Sequence, residues 1–152
     1  MTVVATFLTS REVSWHIADI VRSAREHLFL VSPSVRLSGT LLQSIQAVGR
    51  TVPVSIVYRN DDLAAGLAAN VGHIARLTLL RNPNLHAKCY FNEQTMVLTS
   101  MDLSGDTGTS TWEMGVLIDR EMDAALYQPA HDEVVKITGL SDIVRPSETG
   151  PP

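Results

Sequence analysis

The sequence predicts an α/β fold, with a mixed, mostly parallel β-sheet flanked by helices. Three observations lead there. Short apolar runs alternate along the chain with segments of helical periodicity. Some of those runs are apolar without a break, as strands buried on both faces are. Two late runs are joined by only Asn92-Glu93-Gln94, a hairpin, which makes the sheet mixed.

Residues 2–8 form a short β-rich run. Thr9 and Glu12, three apart, fit a capping box ahead of a helix. Val13, Ile17, Ile20, Val21 and Ala24 then recur along one helical face. Leu28 to Val31 reads as a buried strand ended by Ser32-Pro33-Ser34. A helix over 39–48 turns Leu41, Leu42, Ile45 and Val48 inward, and Val52 to Tyr58 is the next strand. Asn60-Asp61-Asp62 can cap a short helix over 62–70. Ile74 to Leu80 is a strand, Asn82-Pro83-Asn84 a turn, and 85–91 and 95–100 are paired strands. Residues 102–111 are polar and contain glycine, as a surface loop is. Trp112 to Ile118 is the last strand. A helical pattern follows from 121 and is expected to break at Pro129, which suits the first turn of a second helix. Residues 141–152 hold three prolines and no core pattern, and read as a flexible tail or linker after a domain spanning 1–140.

Composition narrows the class. With 152 residues, 45% of them hydrophobic, the chain can bury a single core. Its one cysteine, Cys89, rules out an internal disulfide and agrees with a reducing, cytoplasmic setting. Residues 3–8 are too few and lack the basic leader of a signal peptide. No apolar run nears the ~20 residues of a membrane span, so no membrane is expected as a partner. The net charge of −4 argues against a protein that coats nucleic acid non-specifically, and less against an enzyme that touches two or three phosphates.

The chemistry concentrates at Leu85-His86-Ala87-Lys88-Cys89-Tyr90-Phe91. On a strand, His86, Lys88 and Tyr90 share one face and Ala87, Cys89 and Phe91 the other. The first set puts an imidazole beside an ammonium; the second suits a core. A solvated sheet edge accounts for the tripeptide alone. Thr99-Ser100-Met101-Asp102 follows at the end of the next strand, where hydroxyls and amides meet oxyanions. Glu113 opens a further strand, and its carboxylate could accept from an imidazole Nδ1–H, leaving Nε2 as a nucleophile. Arg36 lies in the loop after the second strand, where ligands bind in α/β sheets, and Arg59 and Arg81 also stand at strand ends. Trp112 suits a base-stacking surface, core packing or a dimer contact. Cys89 reads as a small buried residue. The other four histidines need no role. There is no zinc-spaced cluster, no phosphate-cradling glycine loop and no serine nucleophile elbow, so neither a metal nor a cofactor is expected.

From Leu85 to Ile118 the chain resembles the phospholipase D superfamily. His86, Lys88 and Glu93 match its His-x-Lys and following acidic residue. Thr99, Ser100 and Asp102 match its Gly-Ser-x-Asn segment, one residue closer than usual, and Glu113 matches the glutamate of the small bacterial members. The N-terminal half is similar too, so the likeness covers about 1–138. The resemblance implies a phospholipase D-like domain and a metal-independent phosphodiesterase, with nucleic acid as the expected substrate. One histidine would attack phosphorus to form a phosphohistidine, and a second would protonate the leaving oxygen and then activate water. Lysine and the Ser and Asn groups would neutralise phosphate oxygens. This chain has one His-x-Lys, which implies a homodimer that joins two copies of His86 around one phosphate. Asp102 departs from the pattern, since an ionised carboxylate repels phosphate where Asn donates to it. Thr99 departs as well, removing the close backbone approach of a glycine. Two other functions fit the residues: a binding or regulatory module with a weakened site, or a phospholipid hydrolase or transferase with the same chemistry. The domain could also belong to a larger assembly or take a protein partner.

Overall fold

The computed structural model describes residues 4–37, 39–60, 64–104 and 111–148. The elements in chain order are β1 (Thr6–Thr9), α1 (Ser10–Ser23), β2 (Leu28–Val31), β3 (Val35–Arg36), α2 (Gly39–Val48), β4 (Val54–Tyr58) and α3 (Ala64–Val71). There follow β5 (Leu77–Arg81), β6 (Cys89–Asn92), β7 (Thr95–Thr99), β8 (Leu103–Ser104), β9 (Met114–Asp119), α4 (Ala124–Gly139) and β10 (Asp142–Arg145).

Eight strands form one mixed sheet in the order β1-β9-β7-β6-β2-β4-β5-β10. β2, β4 and β5 are parallel neighbours, and the remaining pairs are antiparallel. β1, β2, β4, β5 and β7 point the same way. β3 and β8 pair in parallel as a separate ribbon. The expected α/β architecture is therefore present.

Helices cover both faces, which explains the unbroken apolar strands. On one face Leu28, Leu30, Val54, Ile56, Leu77 and Leu79 pack with α1 and α2. On the other, Val31, Val57, Phe91, Met96 and Ile118 pack against Tyr127 and Val134 of α4. In α1, Val13, Ile17, Ile20 and Val21 are buried, each contributing roughly 1.5–3 kcal/mol by leaving water. The capping box forms, with the Glu12 carboxylate accepting from the Thr9 N–H at 3.1 Å and its hydroxyl at 2.7 Å.

Several details differ from the sequence reading. α4 does not break at Pro129 but runs through it. The amide that proline lacks would have met the Ala125 carbonyl, and both residues lie on the exposed side, where water can take that bond. Residues 142–145 are not a frayed tail but the edge strand β10, because Ile143 and Val144 suit a strand and β5 offers an unpaired edge. Arg145 anchors them by donating to the carbonyls of Ile74 at 2.9 Å and Leu77 at 2.8 Å. β5 starts at Leu77 because Ile74 belongs to the turn that ends α3. Asp61 and Asp62, expected caps of α3, lie outside the described residues, as do residues 105–110 of the loop expected over 102–111; within that stretch Leu103 and Ser104 are not loop but β8, because Leu103 is buried in the core and pairs with Val35.

Under α4 sits an aromatic cluster. Phe29 and Phe91 stack at 4.9 Å, Tyr127 stacks on His131, and His27 meets Phe29 and His131 edge-on. His27 Nε2 is shielded from water with no hydrogen-bond partner among the described residues. Burial, opposed by Glu93 and Glu26 and assisted by His131 and Arg120, holds the His27 pKa below its ordinary 6.5. The unfolded chain therefore takes the proton first as pH falls through that value, and stability is lost on the acid side. His27→Leu is expected to flatten the fall in urea midpoint between about pH 7 and about pH 5. An unchanged slope would remove His27 from that role.

Candidate active site

The forward strands β1, β2, β4, β5 and β7 end at the sheet edge where β6 and β9 begin, the edge at which α/β sheets bind ligands. His86 and Lys88 precede β6, Thr99 closes β7, Ser100 and Asp102 follow it, and Glu113 precedes β9. The fold thus gathers at one edge residues that are distant in sequence.

The expected strand from residue 85 begins only at Cys89. Leu85 closes a turn through its N–H to the Asn82 carbonyl at 3.2 Å. Of residues 85–88, only the Lys88 carbonyl is reached from β7, by the Thr99 N–H at 3.4 Å. Strict alternation therefore fails before Cys89. Ala87, expected inside, is exposed, and Tyr90 is fully buried with its hydroxyl donating to the Met101 carbonyl at 2.7 Å. Cys89 is buried as expected, which pushes its thiol up to about 12.

His86 is exposed and meets Arg59, whose Nη1 lies 3.1 Å from Nδ1 and 3.3 Å from Nε2 and donates to the Leu85 carbonyl at 3.1 Å. A guanidinium only donates, so the ring nitrogen it bonds carries the lone pair. Arg59 is held in turn, its N–H and that of Asn60 bonding to the Pro33 carbonyl at 3.0 and 3.1 Å. The contact expected between His86 and Glu113 is replaced by this one. Glu113 accepts instead a very short hydrogen bond from the Ser100 hydroxyl. Its backbone is fixed by Ser10, which accepts from the Glu113 N–H at 2.8 Å and donates to its carbonyl at 3.1 Å. The sequence reading missed this contact; its one signal was a hydroxyl directly after a strand.

Lys88 Nζ donates to the Ser100 carbonyl at 3.0 Å and lies 3.7 Å from Asp102 Oδ1. Asp102 Oδ1 also faces the Ser32 hydroxyl at 3.2 Å. The Thr99 hydroxyl donates to the Met114 carbonyl at 2.6 Å and accepts from the Met101 N–H, tying β7 to β9. Gly115 permits that closeness, since a Cβ there would sit 2.9 Å from Val13 Cγ2 and 3.1 Å from Thr99 Cβ. Arg36 lies opposite Ser104 in the β3–β8 ribbon, exposed and without an ion pair among the described residues. Trp112 is 98% exposed, so core packing is excluded for it. Among the described residues no group of His, Cys, Asp or Glu could hold a metal, and no helix is long and apolar enough to cross a membrane.

Glu93 stands apart. It lies at the far end of β6, nearly buried, and its carboxylate accepts from the N–H groups of Arg25, Glu26 and His27 at 3.0, 2.9 and 3.4 Å. Burial raises its pKa, but those amides together outweigh burial and hold it below the usual 4.5. It secures the turn into β2. Glu93→Gln is expected to cost about 1–3 kcal/mol in urea unfolding at neutral pH. The loss should shrink as pH falls through the carboxylate range, because there the wild type gives up the same charge. An equal loss at every pH would deny the charge its part.

No protein-family model and no curated protein sequence matches the chain. Solved structures do. Nuc from Salmonella typhimurium, a phospholipase D family member, aligns with a TM-score of 0.74 at 16% identity over 95% of this chain and 98% of its own. NucT from Helicobacter pylori aligns with a TM-score of 0.67 at 14% identity over 90% of this chain and 96% of its own. Phosphatidylserine synthase from Haemophilus influenzae aligns at 0.64 and 13% identity, over 88% of this chain and 36% of its own. Likeness at such identities speaks for the fold alone, and this edge of converging strand ends belongs to a chain with the phospholipase D fold.

Proposed function

We propose that the chain is a metal-independent phosphodiesterase acting on nucleic acid through a phosphohistidine on His86. The observation that carries this reading is the convergence of His86, Lys88, Ser100 and Glu113 at one open sheet edge, with Arg59 on the imidazole. An entering phosphate is a stronger acceptor for Arg59 than a neutral ring, and its arrival would release the imidazole lone pair. That nitrogen would attack phosphorus, forming an N–P bond as the bond to the leaving oxygen breaks. A second imidazole would give its proton to that oxygen, then take one from the water that cleaves the N–P bond. Lys88 would stabilise the phosphoryl oxygens, and the Ser100 hydroxyl would join it by turning its one hydrogen from Glu113 to the phosphate, with Thr99 tying β7 to β9 beside it and Arg36 meeting a flanking phosphate.

The second imidazole would come from a second copy of the chain. Two observations support a homodimer: the single His-x-Lys, and an apolar face beside the site. On that face Val116 pairs with Phe7 on one side and Leu98 on the other, and Met114 and Trp112 continue it to the edge. Phe7 is 61%, Met114 63% and Trp112 98% exposed, an apolar patch of the kind that marks interfaces.

Incubation with single- and double-stranded DNA in excess EDTA tests the reading. Cleavage that survives chelation supports it, and cleavage that chelation abolishes overturns it. The Lys88–Asp102 pair favours a second reading, a silent binding module, because it occupies the cation that a phosphate would need. Salt-sensitive binding without cleavage would select that alternative.

A further inference from the structure

Between α1 and α2, next to Asp102, lies a cleft of about 310 Å³ that the chemistry above does not use. We propose that it binds a guanine base of the substrate, read by Asp102 at one end and Arg22 at the other. This rests on the phosphodiesterase reading and adds base selectivity to it.

The cleft has the construction of a base pocket. Its walls include Ile17, Leu41 and Met101, which offer an apolar contact to a flat ring, with the hydroxyls of Ser14 and Ser44 among them. Met101 is tied to the wall by the Ser14 hydroxyl, 3.5 Å from its sulfur. Asp102 turns Oδ1 to Lys88 and Ser32, and no partner among the described residues reaches Oδ2. Arg22, two helical turns beyond Ser14, is exposed and makes no ion pair among the described residues. Ser14 and Arg22 are about 12 Å apart along the helix axis, room for a purine with a hydrogen bond at each end.

The two charges select the base. A carboxylate accepts and cannot donate, so the open Oδ2 of Asp102, with two lone pairs, suits the adjacent N–H donors of one base edge. Guanine presents N1–H and N2–H on one edge, with O6 and N7 as acceptors for a guanidinium on another. Uracil and thymine place a single N–H between two carbonyls, which a carboxylate repels, and cytosine offers one amino group beside a bare ring nitrogen where guanine offers two adjacent donor groups. Asp102 is thereby given work that an asparagine in its place would do less well. It is too close to Lys88 to help a phosphate but well placed for the base beside it.

Neutral nucleosides test this without any phosphate. Titrations followed by NMR are expected to show guanosine bound at least about fivefold more tightly than adenosine, cytidine or uridine, the low end of base discrimination by well-placed hydrogen bonds. Asp102→Asn should reverse the preference toward adenosine, because an amide offers one donor beside one acceptor. Ser44→Trp, which fills the cleft, should remove binding, and His86→Ala should leave it intact. Equal binding of all nucleosides, no binding, or affinity unchanged by Ser44→Trp would overturn the assignment. EDTA-resistant cleavage without base discrimination would sink the pocket and leave the phosphodiesterase standing. Selective guanosine binding without cleavage would keep the pocket and sink the catalysis.

Discussion

His86→Ala is expected to lower EDTA-resistant cleavage by at least about 10⁴-fold, the scale on which a nucleophile acts, while thermal stability stays near wild type. His86 is exposed and packs into neither core cluster, so its loss leaves no cavity. The comparison therefore reads chemistry and not folding. A quench of the wild type during turnover should trap a nucleotide on His86, joined through its phosphorus as a phosphoramidate that is stable to alkali and labile to acid. His86→Ala should trap none. Full activity in the variant, or a nucleotide on another residue, would remove the imidazole from the reaction.

Val116→Arg is expected to turn a dimer into a monomer in sedimentation and to lower cleavage by about 10²–10⁴-fold, the contribution of a general acid. Val116 is 36% exposed at the centre of the apolar face, paired with both Phe7 and Leu98. An arginine fits a solvated strand face but cannot be buried unpaired between two such faces. The monomer would keep one imidazole and lose the second. A monomeric wild type that cleaves at full rate would defeat the dimer, as would a monomeric variant with unchanged activity.

Legibility in the sequence followed the range of the contacts. The central strands were readable because burial on both faces leaves them apolar without a break, and the inward face of α1 because burial on one face imposes a period, which Val13, Ile17, Ile20 and Val21 display. Glu12 on Thr9 was readable because the partners stand three residues apart. His86 and Lys88 stood out by proximity in the chain. Pro129 misled because propensity speaks for an isolated helix, whereas α4 is held by Tyr127 and Val134 against the sheet. Residues 142–145 misled because a short strand with three nearby prolines shows little pattern until a partner edge exists.

Unbroken apolar runs between helical periods suffice for the layered fold, and the residue types that meet at the sheet edge are plain in the chain. Who bonds to whom there came only with the folded sheet. Arg59 took the imidazole, Ser100 took Glu113, and Glu93 went to the amides of residues 25–27 at the opposite end of β6. The reason is physical: strand order in the sheet sets which distant segments become neighbours. A hydrogen bond forms only between groups brought within about 3 Å of each other, whatever their separation along the chain.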